Sequence, residues 1–192
     1  MKLLEDRIKQ DGKIISDDIL KVNSFLNHQI DPNLMNEIGK EFARKFKDKN
    51  ITRIITVETS GIAPALTTGL ALNVPVVFAR KNKSATLNEP MYEADVFSFT
   101  KTANNKISID KNFIDQDDNI LIIDDFLANG EATKGVIKIV NEAKANISGI
   151  GIVIEKSFQP GRKWLNDNGY EVESLARIKS LENGKCTFME ND

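Results

Sequence analysis

The chain has 192 residues, 41% of them apolar and 28% charged, and its 26 Lys and Arg against 28 Asp and Glu leave a net charge of −2. That length suits one domain with a sizeable core, and the charge balance argues against a sequence-independent nucleic-acid binder, which needs a dense basic face. One cysteine, Cys186, and one histidine, His28, exclude a disulfide framework and a Cys/His metal centre, so any metal must be held by oxygen ligands. Apolar runs such as 120–123 fall far short of the roughly 18 residues a membrane helix needs. The start, MKLLEDRIKQDGK, reads as a short charged helix without the apolar core of a signal peptide. A reducing, cytoplasmic setting is expected.

In chain order, residues 1–31 read as a helix followed by an extended, polar-spotted segment. Residues 33–46 place Leu34, Ile38, Phe42 and Phe46 on one helical face. A strand over 51–57 leads through Glu58-Thr59-Ser60-Gly61 into a helix over 62–72, and a second strand covers 74–79. Residues 81–117 hold a Lys-rich, turn-rich stretch and then VFSFTKT and NKISID, which read as a hairpin. A strand over 119–125, a loop over 126–130 and a helix over 131–145 follow, the helix carried by Val136, Ile139, Val140 and Ala143. Then come a strand over 150–154, a Pro160-Gly161 turn, a short helix around Trp164 and a last strand over 170–178.

Short all-apolar strands alternating with helices predict an α/β fold, a mostly parallel twisted sheet covered by helices on both faces. Residues 1–31 and 81–117 are expected outside the sheet core, near its ligand edge, as a small hood and a flexible lid with a hairpin, all within a single domain over 1–192. Ligands bind beyond the carboxyl ends of parallel strands, so the residues that follow each strand carry the functional signal.

The strand over 119–125 ends on two adjacent carboxylates, Asp124 and Asp125, followed by a small-residue loop that opens a helix. Adjacent acids repel and need hydroxyl donors or a cation, and Mg²⁺ prefers hard oxygen ligands. A helix start binds anions through its free N–H groups. Carboxylates followed at this spacing by an anion cradle suit a ribose 5-phosphate. Thr59, Ser60 and Gly61 form a second small-residue turn, which reads equally as an N-cap with Pro64 inside the helix. Arg80, Lys81 and Lys83 leave the strand that ends at Ala79, and Lys156 ends the strand from Ile150. There Lys156 must either pair near Glu155 or meet a ligand. No G-x-x-x-x-G-K-[ST] occurs, which excludes a P-loop.

A hydrophobic strand, two acids and an x-x-Ala-x-Gly loop resemble the phosphoribosyl-diphosphate signature of the type I phosphoribosyltransferases. SDDILKVNSFLNHQID, VVFARKNKS, ILIIDDFLANG and GIGIVIEKSFQPGR carry the resemblance over nearly the whole chain, toward the purine-salvage members that use xanthine. It implies transfer of phosphoribose from 5-phosphoribosyl 1-diphosphate (PRPP) to xanthine, giving xanthosine 5′-monophosphate and diphosphate, with Mg²⁺ bound mainly on the diphosphate. It implies ribose hydroxyls and Mg²⁺ on Asp124 and Asp125, and the 5-phosphate on Ala128, Asn129, Gly130, Glu131 and Ala132. The diphosphate falls to Thr59, Ser60 and Gly61 under a lid with Arg80 and Lys81, and xanthine to Leu20, Asn27 and Lys156. By aromatic chemistry alone, Phe126 or Phe158 reads as a stacking face for the base or as packed core. A homodimer is implied; nucleic-acid and membrane partners are not expected. Two departures stand out: Asn129 replaces a common Thr, and Glu131 sits where a small residue is usual, so its side chain must turn away from the cradle. The alternative is a non-catalytic PRPP-sensing regulator on the same fold, for which the chain lacks spare length for a winged helix and a net positive charge.

Overall fold

The structure, a computed structural model, describes residues 1–81, 90–98 and 103–190. The expected parallel sheet is present. Strands β3 (Arg53–Val57), β4 (Val76–Ala79), β7 (Asn119–Leu127), β8 (Asn146–Lys156), β9 (Val172–Ser180) and β10 (Thr187–Phe188) form one six-stranded sheet in the order β10-β9-β8-β7-β3-β4. All neighbours are parallel except β10 against β9. Helices α1 (Lys2–Asp11), α2 (Pro32–Lys45), α3 (Ile62–Leu72), α4 (Glu131–Glu142) and α5 (Gly161–Asp167) accompany it.

Side-chain alternation along β7 builds the two layers. Leu121 and Ile123 join Leu34, Ile38, Phe42 and Phe46 in one core cluster, while Ile120 and Ile122 join Val136, Ile139 and Val140 in the other. Each large side chain buried this way contributes roughly 1.5–3 kcal/mol. α2 starts where Asp31 accepts the N–H groups of Asn33 and Leu34, both at 3.1 Å, with Pro32 preset in the first turn.

Several boundaries differ from expectation. β7 runs on through Leu127, β8 begins at Asn146 and reaches Lys156, and β9 ends at Ser180. The N-terminal segment folds into a small antiparallel hairpin, β1 (Lys13–Ser16) with β2 (Ile19–Lys21), and a single π-helical turn over Asn23–Asn27. The second hairpin, β5 (Met91–Ser98) with β6 (Ala103–Asp110), starts earlier than the VFSFTKT pattern suggested. It is a separate two-stranded sheet, yet it is not outside the core: Ala94, Ile107 and Ile109 are buried in the cluster that holds α4. The expected lid residues 82–89, with Lys83 among them, and residues 99–102 of the VFSFTKT piece lie outside the described residues.

Candidate active site

The carboxyl ends of β3, β7 and β8, adjacent in the sheet, gather the predicted residues. Asp124 and Asp125 lie within β7, which continues past its expected end at Asp125: Asp124, Phe126 and Leu127 pair with Ile152, Ile154 and Glu155 of β8. Asp124 is only 5% exposed, and its carboxylate accepts the Asp125 N–H at 3.0 Å. Burial, and then the Asp125 charge beside it, push the Asp124 carboxyl well above the usual range; the Lys81 charge opposes them. Asp125 is half-buried. Its Oδ1 accepts the Phe126 N–H at 3.0 Å, and its Oδ2 accepts the Asn27 amide at 3.0 Å. The same Asn27 nitrogen donates to Ser60 Oγ at 2.9 Å. One side chain of the hood thus bridges the loop after β3 and the carboxyl end of β7.

Past β7, Gly130 adopts φ 81° as the N-cap of α4, and no side chain caps the first turn, so its leading N–H groups are open to an anion. Positive φ is what demands glycine here, since a Cβ at Gly130 would meet nothing nearer than 3.4 Å. The tight spot is Gly161, which the sequence reading treated only as a turn. Its N–H donates to Ala128 O at 2.9 Å, and a Cβ there would sit 2.4 Å from that oxygen. Glu131 pairs with Lys134 at 2.7 Å, and Lys134 Nζ lies 5.1 Å from the Trp164 ring centroid. The out-of-place carboxylate is therefore neutralised one turn along its own helix.

In the loop after β3, Thr59 Oγ1 accepts the Gly61 N–H at 3.1 Å, and Gly61 rather than Ser60 is the N-cap of α3. Glu58, missed from sequence, organises the cations. Its carboxylate meets Arg80 Nε at 3.2 Å and accepts the Lys81 N–H at 3.0 Å, while the Arg80 backbone pairs in both directions with Ser108. An acid placed directly after a strand at the ligand edge was the available signal.

Lys156 donates to the Asp18 carbonyl at 2.6 Å and stands 5.8 Å from the Phe126 ring centroid. Burial lowers its pKa, against a smaller opposing effect from the Asp18 charge. It does not pair with Glu155, which is fully buried and accepts from Ser157 at 2.6 Å, Arg162 at 2.8 Å and Ser174 at 2.5 Å. Phe158 is exposed, which leaves Phe126 as the ring beside Lys156. Leu20, in β2, is buried near Gly12 and lines a cavity of about 440 Å³ with Ile8 and Cys186.

Among the described residues no group of three or more His, Cys, Asp or Glu side chains is placed to hold a metal. Two neighbouring carboxylates do fit a Mg²⁺ that brings most of its ligands as phosphate and water.

No protein-family model matches the chain. It is 60% identical over 189 residues to the xanthine phosphoribosyltransferase of Leuconostoc mesenteroides subsp. mesenteroides, spanning 98% of this chain and 100% of that protein. It is 58% identical over 192 residues to the xanthine phosphoribosyltransferase of Bacillus cereus, spanning 100% of this chain and 98% of that one. Solved structures with the same fold include the adenine phosphoribosyltransferase of Thermoanaerobacter pseudethanolicus, with a TM-score of 0.74 and 22% identity over 91% of this chain and 99% of that one. The APRTase of Giardia lamblia complexed with 9-deazaadenine superposes with a TM-score of 0.75 and 21% identity, over 91% of this chain and 97% of that one.

Proposed function

Because the chain belongs to the xanthine phosphoribosyltransferase family, within the type I phosphoribosyltransferases, we propose that it converts xanthine and PRPP to xanthosine 5′-monophosphate and diphosphate. The observation that carries this reading is the pairing of Asp124-Asp125 with an uncapped helix start, in a chain 60% identical to the Leuconostoc enzyme. The bond from the anomeric carbon to diphosphate breaks first and leaves positive charge on the ribose ring; the purine N9 then bonds to that carbon and gives up its proton to water. Asp125, with its carboxylate at the open edge, accepts the ribose hydroxyls, and Asp124 completes the pair from its buried position. Backbone N–H groups over 128–132 hold the 5-phosphate. Thr59, Ser60, Gly61, Arg80 and Lys81 face the departing diphosphate, with Glu58 setting the two cations. Lys156 donates to the purine carbonyl at C6 over Phe126, and Asn27 to the carbonyl at C2. Catalysis by this set is positioning plus electrostatic stabilisation of the leaving group. Mg²⁺, held by the diphosphate and oriented by Asp124 and Asp125, would supply further charge neutralisation.

The same reading makes the protein a homodimer working in the cytoplasm. Leu66 and Leu70, 61% and 78% exposed on α3, support a covered surface there, and the free thiol of Cys186 suits a reducing compartment. Among the described residues no helix is long and apolar enough to cross a membrane. The decisive assay is diphosphate release from PRPP and Mg²⁺ with xanthine, guanine, hypoxanthine or no base, with the nucleotide identified by mass. The highest kcat/KM is expected for xanthine; no xanthosine monophosphate from active-folded protein would overturn the reading.

A further inference from the structure

An amide nitrogen carries two hydrogens, and both of those on Asn27 are spent: one on Ser60 Oγ at 2.9 Å, the other on Asp125 Oδ2 at 3.0 Å. In this arrangement Asn27 has no donor left for a base. Its Asp125 partner is the same carboxylate oxygen that a ribose hydroxyl would approach, since Oδ1 already accepts the Phe126 N–H. We propose that Asn27 couples the ribose site to the base site: a ribose hydroxyl that takes Asp125 releases one Asn27 N–H toward the C2 carbonyl, while Ser60 keeps the amide in place. The proposal rests on the reading above, in which Asn27 faces C2. Ser60 thereby becomes a positioning residue for base choice.

The coupling must be reciprocal, so ribose 5-phosphate and xanthine each tighten the binding of the other. It must also be selective, because hypoxanthine has no carbonyl at C2 to receive the released N–H. Titration calorimetry of xanthine and hypoxanthine into the protein, with and without saturating ribose 5-phosphate, tests it without catalysis. Ribose 5-phosphate should tighten xanthine on the order of tenfold and hypoxanthine less than twofold. In Asn27→Leu the xanthine factor should fall to about one. In Ser60→Ala the KM for xanthine should rise several-fold more than that for PRPP, and Ser60→Thr, which keeps the hydroxyl, should restore it. Equal enhancement of both bases in the unmodified protein, or a xanthine factor that survives Asn27→Leu, would overturn the coupling. Unmodified protein that makes xanthosine monophosphate without such enhancement would sink the coupling alone; protein that makes none would sink the functional reading instead.

Discussion

The N–H of Gly161 donates to the carbonyl of Ala128 at 2.9 Å, so the first turn of α5 props the loop between β7 and α4 from behind. This contact ties the geometry of the loop to a residue far from it in the chain. Gly161→Ala places a Cβ 2.4 Å from that carbonyl and 3.1 Å from the Gly130 nitrogen, which the backbone resolves only by shifting the loop. The expected result is a rise in the KM for PRPP of about tenfold or more, with the KM for xanthine nearly unchanged. Steady-state kinetics with each substrate varied in turn checks this, and an equal rise in both constants would point to general misfolding.

Gly130 tests backbone conformation rather than space. At φ 81° a β-branched side chain is strained, whereas Asn enters this region more readily. Gly130→Val should cost roughly 1–2 kcal/mol of stability and weaken ribose 5-phosphate binding, and Gly130→Asn should cost distinctly less. Thermal unfolding and calorimetry on the two variants decide it; equal damage from both would refute the conformational argument.

The two adjacent acids should differ in how much stability their removal returns. A carboxyl whose pKa folding raises costs stability as pH climbs from its ordinary value toward the raised one, because the native state keeps a proton that the unfolded chain releases. Asp124 is such a group, raised by burial and by Asp125. Asp124→Asn should therefore raise Tm at neutral pH, with the gain vanishing as pH falls to the ordinary carboxylate value of 3.8, while turnover drops. Asp125→Asn should lower turnover and give a smaller gain, because it relieves only the charge repulsion on Asp124 and not the cost of its burial. A lower Tm for Asp124→Asn at neutral pH would contradict the account.

At the opposite end of β7, Asp118 shows the reverse shift. Burial opposes its charge, but the Asp115 N–H at 2.9 Å, Arg53 at 2.7 Å and the Thr52 hydroxyl at 2.7 Å outweigh it and lower the pKa. Its stabilisation is present above the ordinary value of 3.8 and lost as pH falls through the lowered one. Asp118→Asn should reduce Tm at neutral pH, with the difference shrinking in acid and both KM values unchanged. A deficit that stays constant into acid would show that charge is not its source.

Lys156→Met removes the donor assigned to C6, a carbonyl that xanthine and hypoxanthine share. It should lower kcat/KM for both bases by similar factors, about tenfold or more. Selective loss of xanthine alone would move Lys156 to C2 and displace Asn27 from that role.

The layered parallel sheet was legible because each strand and helix carries its period in its own residues: Ile120 to Ile123 alone announces burial on both faces. The adjacent acids and the glycine-bearing turn into α4 were legible for a related reason, since they are consecutive. Where the β7 strand ends was not. Phe126 and Leu127 look like the start of the loop, and only pairing with Ile154 and Glu155 of β8 keeps them extended. The hood was read as a polar extended stretch because its hairpin is three to four residues per strand, too short for a periodic signal.

By itself, then, the sequence determined the elements, their amphipathic faces and the chemistry available at the sheet edge, all of which are local properties of neighbouring residues. Tertiary structure decided which of those groups meet: Asn27 with Ser60 and Asp125, Gly161 with Ala128, and Lys156 with the Asp18 carbonyl. The physical reason is that a hydrogen bond depends on the positions of both partners. Those positions follow from strand order and helix placement, which are set by burial across the whole chain and leave no mark on either residue's own neighbourhood.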